Sequence, residues 1–151
     1  MTFRVGSKAV VLALACACAA GCANDGDRDT KEAIEKALVA AWDSSTKTVD
    51  VSNIVRGDWT RLVFACAYSF REEVEKNLGF AWPEYSMTEQ DGAQTWIFAT
   101  DDEVVKWAVI DGPKGDPCGT DTADREYVVP RHEARFRLDD TGYGRALRRI
   151  P

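Results

Sequence analysis

The ten-residue run from Trp59 to Tyr68 is apolar on both faces that a β-strand presents, and no other stretch narrows the possible folds as far. Leu62, Phe64 and Cys66 fall on one face, and Val63, Ala65 and Ala67 fall on the other. A strand with two apolar faces needs cover on both sides, so this run belongs in the interior of a sheet. The period changes immediately after it. Ser69-Phe-Arg-Glu72 reads as a capping box, Val74 and Leu78 share a helical face, and Gly79 suits the C-terminal cap. The spacing predicts a short helix over 70–78. Upstream, Asp29-Thr-Lys-Glu32 reads as a second capping box. Ile34, Ala37, Leu38, Ala41 and Trp42 then recur at helical spacing, which predicts a helix over 30–42 ended by Asp43-Ser-Ser-Thr46.

Beyond the short helix the pattern alternates. Gln94–Thr100 and Val104–Ile110 flank Asp101-Asp102-Glu103 and predict a hairpin. Trp96 and Phe98 share one side of its first strand, and Val105, Trp107 and Val109 share one side of the second. Asp111 to Asp124 is rich in Gly, Pro, Asp and Thr and reads as a loop. Ala134, Phe136 and Leu138 alternate with Arg135 and Arg137, as in a half-buried strand. Asp139-Asp-Thr-Gly142 turns into a last strand carrying Leu147. No internal repeat is present. The order of elements predicts an α+β two-layer sandwich, an antiparallel sheet of about four to five strands packed by two helices.

The N-terminus reads as an address. Arg4 and Lys8 precede the apolar run Ala9–Ala20, and small residues close it, as in a secretory signal. The run is shorter than the roughly 20 residues that a membrane-spanning helix needs. Its end, Ala19-Ala20-Gly21-Cys22, resembles the lipobox of bacterial lipoproteins, with Ala19 where that motif usually has Leu. The resemblance implies a diacylglycerol thioether on Cys22, cleavage after Gly21 and a place on the extracytoplasmic side of an envelope membrane. Ordinary secretion with cleavage near Ala20, and an uncleaved anchor, are the rival readings. Two acyl chains hold a protein on a bilayer without further contacts. On this reading residues 1–21 are the signal, 22–28 a tether and 29–151 a single domain.

A chain of 130 residues after Gly21 supports one core. Its aromatic content argues against disorder. From 22 to 130 there are 11 basic and 22 acidic side chains, whereas 131–151 carries six Arg and three acids. An acidic body of this kind is repelled by nucleic acid, which argues against that partner. Cys66 and Cys118 remain once the signal is removed and Cys22 is taken up by lipid. An even pair in an oxidising compartment reads as a disulfide, and two buried free thiols are the alternative.

Candidate chemistry is sparse. His132 is the only histidine and lies between Arg131 and Glu133, where an exposed loop role is the simpler reading. No nucleophile-elbow or zinc-protease motif occurs. No cofactor and no metal are expected. Asp111, Asp116, Asp121 and Asp124 share one loop, but their spacing departs from a calcium-binding EF-hand. The feature with the most chemical content is basic. Arg135 and Arg137 project from one strand, and Arg145, Arg148 and Arg149 come from the next. Such a cluster suits phosphate or carboxylate groups held in bidentate fashion. Its plainer reading is a sheet face paired with the chain's own acids.

Gly57-Asp-Trp59, Cys66-Ala-Tyr68, Ser69 to Glu72, Val74 and Leu78-Gly79, followed by the hairpin, resemble a group of small uncharacterised bacterial lipoproteins over residues 57–110. The resemblance implies a membrane-anchored envelope protein and carries no activity with it. Together these features lead to the expectation of a non-enzymatic binding domain, tethered through Cys22, whose partner is an envelope protein or a cell-wall anion. A small hydrolase acting on an envelope polymer is the alternative.

Overall fold

The computed structural model describes residues 26–118, 127–142 and 144–150. Cys22 and most of the expected signal and tether lie outside them. The chain is α+β. Helix α1 (Arg28–Asp43) leads into β1 (Thr48–Asp50), the single-turn α2 (Val51–Ile54), β2 (Arg61–Ala65) and α3 (Arg71–Leu78). Then come β3 (Ala93–Ala99), β4 (Val104–Asp111), β5 (Val128–Pro130), β6 (Arg135–Asp140) and β7 (Arg145–Arg149). The strands divide into two antiparallel sheets, not the single one expected: β4-β3-β2-β5 and β1-β6-β7. Three of these elements, β1, α2 and β5, are only three or four residues long, too short for periodicity to reveal.

The apolar run behaves as its two faces require. β2 lies between β3 and β5, with Leu62 opposite both Phe98 and Val129. Leu62 and Phe64 face a core that includes Ile34 and Leu38 of α1, Trp96 and Phe98 of β3, and Phe136 and Leu138 of β6. Val63 and Ala65 face a second core with Val74 and Leu78 of α3, Trp82, Tyr85 and Ile97. Both cores are aromatic. Phe64 meets Trp96 and Phe136 edge-on at ring separations of 5.1 and 5.8 Å. Trp59 stands edge-on to Phe98 at 5.1 Å and donates its indole N–H to the Val55 carbonyl at 2.8 Å. The strand itself stops at Ala65, so Cys66 stands just beyond it and not in mid-strand.

Both expected capping boxes are displaced. The cap of α1 is Asp27, whose carboxylate accepts from the Thr30 amide at 2.7 Å, and Asp29 stands inside the first turn. Asp27 also donates its own amide to the Trp107 carbonyl, and Gly26 bridges to Ala108. The stretch read as a tether is thus bound to the edge of β4 from Gly26 onward, and that attachment decides where the helix begins. At α3 the cap position is Phe70, which has no capping side chain; Ser69 does not cap. Gly79 closes α3 in the left-handed conformation, as expected.

The hairpin carries a register shift that alternation does not show. Phe98 pairs with Lys106, and the next residue, Ala99, pairs with Val104, so Val105 is the extra residue of a bulge. Val105 therefore joins the core of Leu62 and Phe64, while Trp107 joins the opposite core. The two were expected on one side. Trp107 stands edge-on to Trp82 at 5.7 Å.

Cys66 and Cys118 form a disulfide with Cα atoms 5.9 Å apart. Asp116, two residues before Cys118, runs parallel to β7: its amide donates to Arg145 and its carbonyl accepts from Leu147. The bridge thus joins the end of a central strand in one sheet to a segment that extends the other.

Candidate functional site

The Arg-rich end is built by β6 and β7. Burial alternates along β6 as the sequence requires, with Phe136 and Leu138 inside and Arg135 and Arg137 exposed. In an antiparallel pair, directly opposed residues share a face. Arg148 opposes Arg137, so Arg135, Arg137 and Arg148 share the outer face of the small sheet. Arg149 opposes Phe136 and Arg145 opposes Asp140, which places both on the other face. The five expected arginines are therefore divided, three on one face and two elsewhere.

The two outliers have local partners. The Arg145 guanidinium lies over the Trp42 ring at 4.3 Å, and Lys47 lies over the same ring at 4.1 Å. This cation–π contact fixes the end of β7 against α1. Arg149 pairs with Glu133. A sixth arginine, Arg131, is also held internally. It donates to the Gly57 carbonyl at 2.6 Å and the Trp59 carbonyl at 3.2 Å, and its guanidinium stands 4.7 Å from the Trp59 ring.

On the outer face, Arg137 and Arg148 are like charges placed directly across a strand pair, an arrangement that repels unless something lies between them. Asp139 does. It lies two residues beyond Arg137 on the same face and takes the Arg137 Nε at 2.9 Å and the Arg148 Nε at 3.0 Å. The hydrogen bond from Arg137 to Asp139, reinforced by their attraction, raises the Arg137 pKa above its ordinary value. Arg135 is held more loosely, with its Nε 3.9 Å from Asp50. The Asp50 carboxylate is shared: it also accepts from the Ser52 amide at 3.1 Å as the cap of α2. Arg135 is also the most exposed of the three, at 57% of its side chain. The plainer reading, a face paired with the chain's own acids, thus describes Arg137 and Arg148 well and Arg135 least. The pairing acids Asp50 and Asp139 were not expected. The period-two string Arg135-x-Arg137-x-Asp139 did carry a signal for Asp139, whereas Asp50 arrives from β1, which no sequence pattern placed.

The other candidates are located as follows. His132 sits on the 3₁₀ turn Arg131–Glu133, 80% exposed, with Nε2 3.2 Å from Glu133. Asp111 contributes to an ion pair with Lys114 at 3.7 Å, and Lys114 reaches Glu35 of α1 at 2.7 Å. The hydrogen bond to Glu35 raises the Lys114 pKa. Asp116 accepts from the Cys118 amide at 2.7 Å, and Asp121 and Asp124 lie outside the described residues. Among the described residues no three His, Cys, Asp or Glu side chains are grouped to hold a metal ion, and no helix is long and apolar enough to cross a membrane. The chain matches no protein-family model, no curated protein and no solved structure.

Proposed function

We propose that this protein is a binding module tethered to the outer side of an envelope membrane through a diacylated Cys22, and that the outer face of β6 and β7 is its anion-facing side. The observation that carries the reading is the alignment of Arg135, Arg137 and Arg148 on one exposed sheet face of an otherwise acidic chain. Their side chains remain 50–57% exposed while paired, so an incoming carboxylate or phosphate can exchange with Asp139 or Asp50 without unburying any group. The looser Arg135 pair is the natural point of entry.

Two measurements test the two halves of the reading. Cys22→Ala in the full chain should either block processing or release the domain from the membrane fraction; a processed protein that stays membrane-bound would remove the anchor. For the binding face, the released Cys22→Ala protein should still sediment with isolated envelope fragments, less so as salt rises, and adding Arg135→Ala, Arg137→Ala and Arg148→Ala to it should abolish that sedimentation. Undiminished sedimentation after those three additions would remove the anion-facing role.

A further inference from the structure

A second surface, of opposite chemistry, lies at the far end of β2. Immediately after Cys66 the chain makes a tight turn, closed by the Ser69 amide donating to the Cys66 carbonyl at 3.1 Å. Tyr68 occupies the turn position that calls for a left-handed backbone, with φ +63°. That region favours glycine or asparagine and disfavours a bulky aromatic residue. The ring is only half-buried in return: Tyr68 is 50% exposed, and Phe70, two residues on, is 69% exposed. A fold under selection for stability alone would place glycine and a polar residue here.

These rings stand on a segment bound to another that carries an exposed apolar side chain. The segment 68–71 is laced to the segment 85–88. The Tyr68 amide donates to the Thr88 carbonyl at 2.9 Å, the Tyr85 hydroxyl to Ser69 at 3.0 Å, and Arg71 to Tyr85 at 3.0 Å. Met87, 36% exposed, stands on the segment laced to the one that carries Tyr68 and Phe70. Exposed aromatic and methionine side chains in contiguous groups are typical of protein-contact surfaces and rare elsewhere on a monomer.

The rim is acidic. The Tyr68 hydroxyl donates to Asp91 at 2.8 Å. Asp91, and then Glu89, lie near enough to raise the Tyr68 pKa, the hydrogen bond being the larger cause. Exposed Glu72 and Glu73 follow Phe70 in the first turn of α3. From Cys66 to Gly92 the chain carries six acidic and two basic side chains.

We propose that the Tyr68–Phe70–Met87 patch is a docking surface for a basic segment of another protein, one that brings apolar anchors to the rings and arginine or lysine to the acidic rim. Charge complementarity selects this occupant. An anionic bilayer or a polyanion would meet Glu72, Glu73, Glu89 and Asp91 with like charge. A second copy of this chain offers its Arg face, but among the described residues that face carries Thr48, Asp50, Ala146, Asp139 and arginines, with the partly buried Ile150 opposite Arg135 as its one large apolar side chain, too little to fill the patch. The surface is separate from the anion-facing sheet, so the two proposals stand or fall independently.

The test uses the full chain carrying Cys22→Ala and three fluorescein-labelled nonapeptides: arginine alternating with tryptophan, glutamate alternating with tryptophan, and arginine alternating with serine. Fluorescence anisotropy should show the first binding roughly tenfold or more tighter than either of the others, since both the apolar anchors and the positive charge are required. Tyr68→Gly with Phe70→Ser should weaken it about tenfold or more with an unchanged far-UV spectrum, both positions being exposed and glycine suiting the left-handed turn. Glu89→Gln with Asp91→Asn should flatten its salt dependence. Equal binding of all three peptides would overturn the proposal, as would equal binding by the Tyr68/Phe70 variant. So would a patch-dependent interaction with phosphatidylcholine vesicles, or with a second copy in sedimentation equilibrium, that the arginine–tryptophan peptide does not displace.

Discussion

Replacing Cys66 and Cys118 together by alanine tests the covalent link between the sheets. The bond spans 52 positions in sequence. In the chain-entropy account, closing a loop of that size removes about 14 cal/mol/K from the unfolded chain, or about 4 kcal/mol at 25 °C. Both cysteines are only part-buried, so the lost side-chain packing adds little. The folded state keeps a route of its own: Asp116 still pairs with Arg145 and Leu147 through the backbone. The double variant should therefore fold but lose about 3–4 kcal/mol, a large share of a typical domain's 5–15 kcal/mol. Urea unfolding of oxidised wild type, reduced wild type and the double variant measures this. The last two should coincide within about 1 kcal/mol, with a steeper urea dependence than the oxidised form because their unfolded chains expand further. If oxidised and reduced wild type unfold at the same urea concentration, the two residues act as free thiols and the link does not exist in solution.

Asp27 caps α1, and its hydrogen bond with Thr30 lowers its pKa below the ordinary carboxylate value. A lowered folded pKa stabilises above the unfolded pKa near 4, and the contribution is lost as pH falls through the folded value. Asp27→Ala should cost about 0.5–2 kcal/mol at neutral pH in thermal unfolding, with the gap to wild type narrowing below pH 4. Gly112→Ala should be worse tolerated than an ordinary loop substitution. A Cβ at that position would stand 1.8 Å from the Gly92 carbonyl oxygen, so the two segments must part at a cost of about 1–3 kcal/mol by urea unfolding. Leu38→Ala, at a fully buried position of α1, should cost about 2–5 kcal/mol by the same measurement. Arg135→Ala with Arg137→Ala should move the melting temperature little, since exposed ion pairs contribute about 0–1 kcal/mol.

Much of the local structure was legible because it rests on short-range periodicity. The apolar doublet of faces from Leu62 to Ala65 placed β2 in a sheet interior, and the alternation Phe136/Leu138 against Arg135/Arg137 placed β6 at a surface. Gly79 marked the end of α3, since only a left-handed residue closes that turn without strain. The same periodicity fixed which side of β6 its arginines occupy. It could not place Arg145 and Arg149, because their facing depends on which residues of β6 oppose them, and register is a property of two strands.

The amino-acid order alone therefore determined the α+β class, the interior position of β2, the ends of the longer elements to within a few residues, and the exposure of Arg135 and Arg137. Tertiary contact decided the rest. The start of α1 moved to Asp27 because Gly26 and Asp27 bond to the edge of β4, a strand far away in sequence. Val105 and Trp107 parted because a bulge absorbs one residue between β3 and β4. The strands became two sheets because β1 and β5, three residues each, exist only through their partners β6 and β2. Each of these features is held by hydrogen bonds between segments distant in sequence. No local pattern of residues encodes such bonds, because the free energy that selects them is gained only when both segments are present and in register.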